Sequence, residues 1–151
     1  MSIWAMIPLL VAFDWVPPVP LALVQAEFRP AAAYGSGHRG MDLSAAPGSA
    51  VRAVAEATVA VAGPVAGKPV IVLLVEDPTL GRVRVTYEPV IPEVDVGDLV
   101  RAGQQIGTLA AGGGHCGHPP HCLHLGIKQN GRYMNPAPLI SSGRVVLKPL
   151  S

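Results

Sequence analysis

The sequence predicts an all-β domain folded as an antiparallel β-sandwich. Its apolar residues occur in short runs rich in Val and Ala, and these runs are bounded by Gly, Pro or Asp. The chain holds 17 Gly and 16 Pro in 151 residues. Short β-branched runs between turn residues are typical of strands, whereas helices need longer periodic stretches with few Gly and Pro. A chain of this length is expected to form one domain with its own core.

Three consecutive β-branched runs are predicted to form the core strands of a meandering sheet, and they cover residues 49–63, 68–77 and 82–90. The segment 94–110 follows, and its spaced glycines are predicted to turn the chain between short strands at a sandwich corner. Residues 122–136 are predicted to form a hairpin, because the Asn130-Gly131 pair favours a type I′ turn.

The N-terminal part of the chain differs in composition from the rest. Residues 1–13 are apolar over about the length of a signal-peptide core but lack a basic start, so they are predicted to be a signal peptide or the remnant of one. A disordered or packed N-terminus is the alternative. Residues 14–37 are rich in proline and are predicted to be an extended lead-in, and 38–151 the folded domain. A signal peptide implies an exported, extracellular protein.

Charge and motif content exclude several partners and reactions. The net charge is +1, with Lys and Arg scattered along the chain, so nucleic acid is not an expected partner. The apolar N-terminus falls short of the about 20 residues that a spanning helix needs, so stable membrane insertion is not expected. There is no phosphate-binding glycine loop and no Ser nucleophile elbow. The sequence predicts no particular oligomeric state.

A candidate metal site begins at His38 and Asp42, which are separated by three residues with Gly40 between them. The glycine lets the backbone bend so that both side chains can converge. A His on the C-terminal hairpin strand could supply a third ligand from across the sheet. Two nitrogens and one carboxylate oxygen leave a fourth tetrahedral position for water, which is the pattern of a catalytic zinc site.

Three ordered blocks carry a family resemblance: "GHRGMDLSAAPGSAVRAV", "VDVGDLVRAGQQIG" and "CLHLGIKQNGRYMNP". Over roughly residues 28–140 the chain resembles the lysostaphin-type zinc metalloendopeptidases, which cut peptide crosslinks of peptidoglycan. The resemblance implies a duplicated hybrid motif with a barrel-sandwich-like fold, located in the cell wall or outside the cell. It also implies that Zn²⁺ is held by His38, Asp42 and His124, and that the partner is a peptidoglycan peptide.

Two positions depart from the family pattern. Pro89 replaces the His of the Tyr-x-His motif that helps to activate water, and Cys122 replaces the first His of His-x-His. The substituted pattern resembles a compact branch of the family associated with high-GC Gram-positive bacteria. His115 is predicted to take over proton transfer, because the glycines 112–114 could let its loop fold back over the metal. Strand alternation counted from Pro89 turns Glu88 to the opposite face, and the same objection applies to His121.

The loop that precedes the hairpin leaves two further interpretations open. A structural zinc knot would draw Cys116, His118, His121 and Cys122 from seven consecutive residues with two prolines, which is tighter than known finger spacings. A Cys116–Cys122 disulfide fits an exported protein better, and it would hold His115 beside the zinc.

Tyr87 and Arg39 are predicted to line the substrate cleft, with Arg39 contacting a peptide carboxylate. The sequence thus predicts a zinc metalloendopeptidase, and the alternative is a catalytically impaired wall-binding or hydrolase-activator module on the same fold. The block 96–107 also resembles a lipoyl or biotinyl carrier domain. The chain's three lysines, Lys68, Lys128 and Lys148, lack the sequence context of a modified lysine, which disfavours a carrier.

Overall fold

Two antiparallel β-sheets face each other across a shared hydrophobic core in the computed structural model, which describes residues 15–20, 24–26, 39–111 and 121–140. Within those residues the large sheet has eight strands and the small sheet three. Every strand pair that the structure describes is antiparallel. The predicted all-β antiparallel sandwich is therefore confirmed.

The large sheet has the strand order β1-β2-β10-β6-β5-β4-β8, with β11 paired to the second half of β10, and the small sheet has the order β3-β9-β7. The elements are β1 (Val24–Ala26), β2 (Met41–Ser44), β3 (Ala50–Arg52), β4 (Ala57–Val65), β5 (Lys68–Asp77), β6 (Gly81–Glu88), β7 (Val90–Pro92), β8 (Leu99–Val100), β9 (Gln105–Leu109), β10 (Cys122–Gln129), β11 (Arg132–Met134) and α1 (Ala137–Ile140).

Two runs that the sequence predicts as single strands are each divided between the sheets. The run 49–63 contains β3 of the small sheet and β4 of the large sheet, and residues 53–56 carry the chain from one to the other. The run 82–90 likewise leaves the large sheet after Glu88 and enters the small sheet at Val90. Ala53, Val54 and Ala55 in the first crossing and Pro89 in the second are buried, so hydrophobic patterning alone does not reveal where the chain changes sheets.

The central strand β10 separates the core from the outer face of the large sheet. Leu123, Leu125 and Ile127 are fully buried in the core between the sheets. Because side chains alternate along a strand, His124 and Lys128 point to the opposite face. On one side β10 pairs with β6, and on the other side with β2 and then β11.

The part of the predicted lead-in that the structure describes packs against the domain. Trp15 is buried, and its indole Nε1–H donates a hydrogen bond of 2.9 Å to Asp77 Oδ2. The backbone N–H of Val16 donates to the carbonyl of Val54 at 2.8 Å. Strand β1 also lies in this segment and pairs with β2. The domain boundaries themselves stay a prediction.

The predicted hairpin forms around Asn130 and Gly131, which both have positive φ angles, of 50° and 76°. Positive φ at both central residues is the requirement of a type I′ turn, so this prediction is confirmed. The sequence did not predict the short helix α1, whose Ile140 is buried in the core. Within the described ranges, no helix has the length and apolar character needed to cross a membrane.

Candidate active site

Asp42 and His124 form a buried polar pair on the outer face of the large sheet. They are direct partners in the β2–β10 ladder, and their neighbours Met41, Leu43 and Leu125 belong to the core. His124 Nδ1 lies 2.8 Å from Asp42 Oδ1. Only 9% of His124 and 2% of Asp42 is exposed. Two ionisable side chains are rarely buried this deeply unless they hold each other or a metal ion.

Gly40 makes this arrangement sterically accessible. A Cβ atom at Gly40 would lie 2.8 Å from His124 Nε2 and 2.9 Å from Cε1, and it would collide with the carbonyl oxygen of Leu125. The backbone φ of Gly40 is +157°, within the region that L side chains rarely adopt. Glycine is therefore required here because the backbone passes directly against the imidazole ring.

The donor set fits a zinc ion. Imidazole nitrogen and carboxylate oxygen are both zinc ligands, and two ligands of one tetrahedral ion at about 2.1 Å are about 3.4 Å apart, somewhat more than the 2.8 Å between Nδ1 and Oδ1. A small outward movement of either side chain would admit the ion. His38 lies outside the described residues, and those residues contain no group of three metal-binding side chains. The complete ligand set of His38, Asp42 and His124 therefore stays a prediction.

Glu88 lies on the same face as this pair, contrary to the expectation from strand alternation. In the β6–β10 ladder Glu88 is the direct partner of His124, so Asp42, His124 and Glu88 form one row across three strands. Directly paired residues in antiparallel strands point to the same face. The expectation was wrong because alternation was counted from Pro89, where the chain has already left the large sheet. Glu88 Oε1 lies 3.3 Å from Lys68 Nζ.

The prediction that Tyr87 lines the substrate cleft is wrong. Tyr87 is fully buried between the sheets, and its hydroxyl accepts a hydrogen bond of 2.9 Å from the backbone N–H of Val54. Burial raises the pKa of the Tyr87 hydroxyl, although the hydrogen bond from Val54 acts in the opposite direction. Its ladder partner Leu125 is also a core residue. Tyr87 therefore links β6 to the segment that crosses between the sheets, and its side chain does not reach the outer face.

Arg39 is exposed and lies beside the outer face next to Gly40. Its guanidinium carbon is 5.7 Å from the centroid of the Tyr133 ring, and Lys128 Nζ is 5.3 Å from the same centroid. The assignment of Arg39 to the substrate cleft stays a prediction. Lys128 and Tyr133 belong to no catalytic or metal-binding motif in the sequence, although the predicted hairpin turn already pairs these two positions.

His115, Cys116 and His118 lie outside the described residues, so their predicted roles are not tested. Cys122 is 3% exposed and occupies the first position of β10, two residues before His124 on the same face. The carbonyl of His121 accepts a hydrogen bond of 3.2 Å from Ala45 N–H.

Comparison with known proteins identifies the family to which this chain belongs. The model of peptidase family M23 matches residues 36–136, which is most of the chain and includes both Asp42 and His124. The chain belongs to peptidase family M23. The lysostaphin-type resemblance carried by the three sequence blocks is thereby confirmed.

Solved structures share the fold of this M23 domain. The catalytic domain of lysostaphin from Staphylococcus simulans is 26% identical, with a TM-score of 0.59, over 85% of this chain and 90% of that one. Csd3 from Helicobacter pylori is 23% identical, with a TM-score of 0.67, over 91% of this chain and 36% of that one. A zinc-containing peptidase from Vibrio cholerae is 23% identical, with a TM-score of 0.63, over 81% and 39% of the two chains.

Curated relatives of this M23 domain come from mycobacteria. The uncharacterized proteins Rv2891 of Mycobacterium tuberculosis and Mb2915 of Mycobacterium bovis are each 42% identical over 122 residues. The matches cover 78% of this chain and 47% of the relatives, so the chain spans about half the length of the curated proteins it matches.

Proposed function

We propose that this M23 domain is a zinc metalloendopeptidase that hydrolyses peptide crosslinks of bacterial cell-wall peptidoglycan after export from the cell. The observation that carries the proposal is the Asp42–His124 pair, buried on the sheet face opposite the core with its ligand atoms 2.8 Å apart. Membership of the M23 family and the shared fold with lysostaphin support it.

The residues proposed to hold the ion are His38, Asp42 and His124. When bound, zinc would polarise the scissile carbonyl and acidify an attacking water. The protein's own contribution is to keep two ligands in place: the β2–β10 ladder aligns Asp42 with His124, and Gly40 allows the chain to pass against the imidazole. Ligands fixed by paired strands need little reorganisation when the ion binds.

Proton transfer is assigned to His115, and a Cys116–Cys122 disulfide would hold its loop near the ligands. The burial of Cys122 on the same face as His124 supports this, because a covalent link at that position would fix the end of the loop beside the site. Glu88 is a second candidate for proton transfer, because it is the ladder partner of His124. Its contact with Lys68 weakens this alternative, since the carboxylate already has a cationic partner.

A second candidate function is a catalytically impaired wall-binding or hydrolase-activator module. Pro89 and Cys122 favour it, because they occupy the positions of the two histidines that assist catalysis in lysostaphin-type enzymes. Both residues are buried, and a change of side-chain conformation at either position would not supply the missing imidazole. The intact ligand pair favours the enzyme, because a binding module has no chemical need for a zinc site with a water position.

The test combines metal analysis of the purified protein with digestion of purified sacculi. We expect about one zinc ion per chain and release of soluble muropeptides. Asp42→Asn and His124→Ala should abolish both, whereas Asp95→Asn, at an exposed turn, should change neither. Muropeptide release that survives both ligand substitutions would contradict the enzyme proposal. Bound zinc without cleavage of any of several crosslink types would favour the binding module.

A further inference from the structure

We propose that Arg39, Lys128 and Tyr133 form a subsite that binds a carboxylate group of the peptide, beside His124 on the outer face of the large sheet. The identification of the ligand as a peptide rests on the proposed function. The subsite itself rests on the contacts of these three side chains and on the charge that they bring together.

The subsite is built on the same strand as the metal ligand. His124, Gly126 and Lys128 occupy alternate positions of β10 and therefore share its outer face. Tyr133 is the ladder partner of Lys128, and a Cβ atom at Gly126 would lie 3.8 Å from Tyr133 Cε1 and 3.0 Å from the carbonyl oxygen of Arg39. The tight distance is the one to Arg39, so the absence of a side chain at position 126 lets the backbone of Arg39 pass close to β10, whereas the tyrosine ring lies at ordinary contact distance.

Two cations converge on one aromatic ring. Arg39 Cζ and Lys128 Nζ lie 5.7 Å and 5.3 Å from the Tyr133 centroid, and 39% of the Tyr133 surface is exposed. Arg84, the ladder partner of Lys128 on β6, adds a third exposed cation to this face. Across the ranges that the structure covers, none of these three cations forms an ion pair with a carboxylate. Like charges held together in this way attract an anion.

The ring holds the cations without using their hydrogen-bonding capacity. A cation–π contact is electrostatic and engages the face of the ring, so the N–H groups of Arg39 and Lys128 remain available as donors. A guanidinium offers two parallel donors that match a carboxylate, and an ammonium adds a point charge. The arrangement therefore fits a planar anion with two oxygens.

Charge is distributed unequally on the two sides of His124. Glu88, the ladder partner of His124, is paired with Lys68. On the side of His124 toward the β10–β11 turn, the face carries Arg39, Lys128 and Arg84, and none of the three has an ion pair among the described residues. Positions 124 and 128 are about 13 Å apart along the strand, and an extended peptide advances about 3.3 Å per residue. The carboxylate is therefore expected on a residue about two to four positions from the bond that is cleaved, always on the same side of it.

The test uses a linear stem peptide without a crosslink, because such a peptide binds but offers no crosslink to hydrolyse. Its free carboxyl groups are converted to carboxamides one at a time, so that main-chain and side-chain carboxylates can be distinguished. We expect the purified full-length protein to bind the free peptide at least about tenfold more tightly than one of the singly amidated forms, in a manner that weakens with salt.

The double variant Arg39→Gln/Lys128→Gln should bind the free peptide about tenfold more weakly or worse and lose the preference over the amidated form. Arg52→Gln/Arg101→Gln removes the same charge from the small sheet and from the far edge of the large sheet, and it should keep the preference. Tyr133→Phe should bind as the native protein does, whereas Tyr133→Ala should bind more weakly.

Equal binding of free and amidated peptides by the native protein would overturn the subsite, as would an unchanged preference in the Arg39/Lys128 variant. Because binding is measured without turnover, failure of the subsite is separable from failure of the enzyme proposal. A protein that shows the carboxylate preference but releases no muropeptides would retain the subsite and lose the proposed activity.

Discussion

Glu88 and His124 are direct partners in the β6–β10 ladder, and Asp42 continues the same row on β2. A carboxylate thus stands on each side of the candidate ligand His124. One of them is within 2.8 Å of its Nδ1, and the other is held 3.3 Å from Lys68. The contact with His124 makes Asp42 the carboxylate that we propose as a metal ligand, and Glu88 the one to be tested as a proton-transfer group.

We expect His115→Ala to lower kcat by about 10²–10⁴-fold with zinc content unchanged, because a positioned imidazole contributes about that much to proton transfer. Glu88→Gln should lower kcat by less than about tenfold, because its carboxylate is already paired with Lys68. Sacculus digestion and metal analysis of each variant provide the measurement.

Glu76→Gln is a matched control. Glu76 on β5 forms an ion pair with Arg82 on β6 at 2.7 Å, as Glu88 on β6 does with Lys68 on β5, but it lies far along the sheet from His124. It should leave both kcat and zinc content unchanged. If Glu88→Gln caused the larger loss and His115→Ala the smaller one, proton transfer would have to be reassigned to Glu88.

Local signals predicted much of this structure. The run 68–77 coincides with β5, because Gly and Asp residues bound a continuous β-branched stretch. The Asn130-Gly131 turn fixed the hairpin, and a two-residue turn at that point also pairs Lys128 with Tyr133. Asp42 and His124 were predicted to meet from opposite ends of the chain, and the β2–β10 ladder brings these two together.

Long-range register could not be predicted in the same way. Whether Glu88 faces His124 depends on how two strands more than 30 residues apart align, and no local pattern encodes that alignment. The burial of Tyr87 could not be predicted for the same reason, because the second sheet that covers its ring comes from distant segments of the chain. Both errors lie where the chain passes from the large to the small sheet near Pro89.

We expect Gly40→Ala to destabilise the protein by about 1–3 kcal/mol, because its Cβ atom would be forced against the Leu125 carbonyl and the His124 ring. Zinc content should fall as well, since the imidazole must move. Thermal melting and metal analysis measure the two effects. Gly63→Ala is a close control, because Gly63 has a similar φ of +149° but nothing within 4 Å of the added atom. An equal loss of stability in both variants would show that backbone strain, not collision with His124, makes Gly40 necessary.

Tyr87→Phe should lower the free energy of unfolding by about 1–3 kcal/mol, because it leaves the buried N–H of Val54 without its hydroxyl acceptor. Activity per folded molecule should be unchanged, since Tyr87 lies in the core. Denaturant unfolding and sacculus digestion measure the two quantities, with the exposed Tyr133→Phe as the stability control. A Tyr87→Phe protein of native stability but reduced activity would return Tyr87 to the substrate cleft.

The contact between Trp15 and Asp77 predicts that stability falls in acid. Burial raises the pKa of Asp77, but hydrogen bonds from Trp15 Nε1 and from the N–H groups of Leu80 and Thr79 outweigh burial and leave the pKa below its ordinary value. The unfolded chain therefore binds the proton more readily than the folded protein does. This contribution is present above the ordinary Asp pKa of about 3.9 and is lost as the pH falls below it toward the lower pKa of the folded protein.

We expect the free energy of unfolding of the native protein to decrease more steeply below about pH 4 than that of Asp77→Asn, because the amide cannot take up the proton. Trp15→Phe keeps an aromatic ring in the core but removes one donor, so its slope should lie between the other two. Denaturant unfolding between about pH 2.5 and 7 measures these slopes. Identical slopes for the native protein and Asp77→Asn would mean that these hydrogen bonds do not hold the carboxylate in its ionised form, and that Trp15 fastens the N-terminal segment through packing alone.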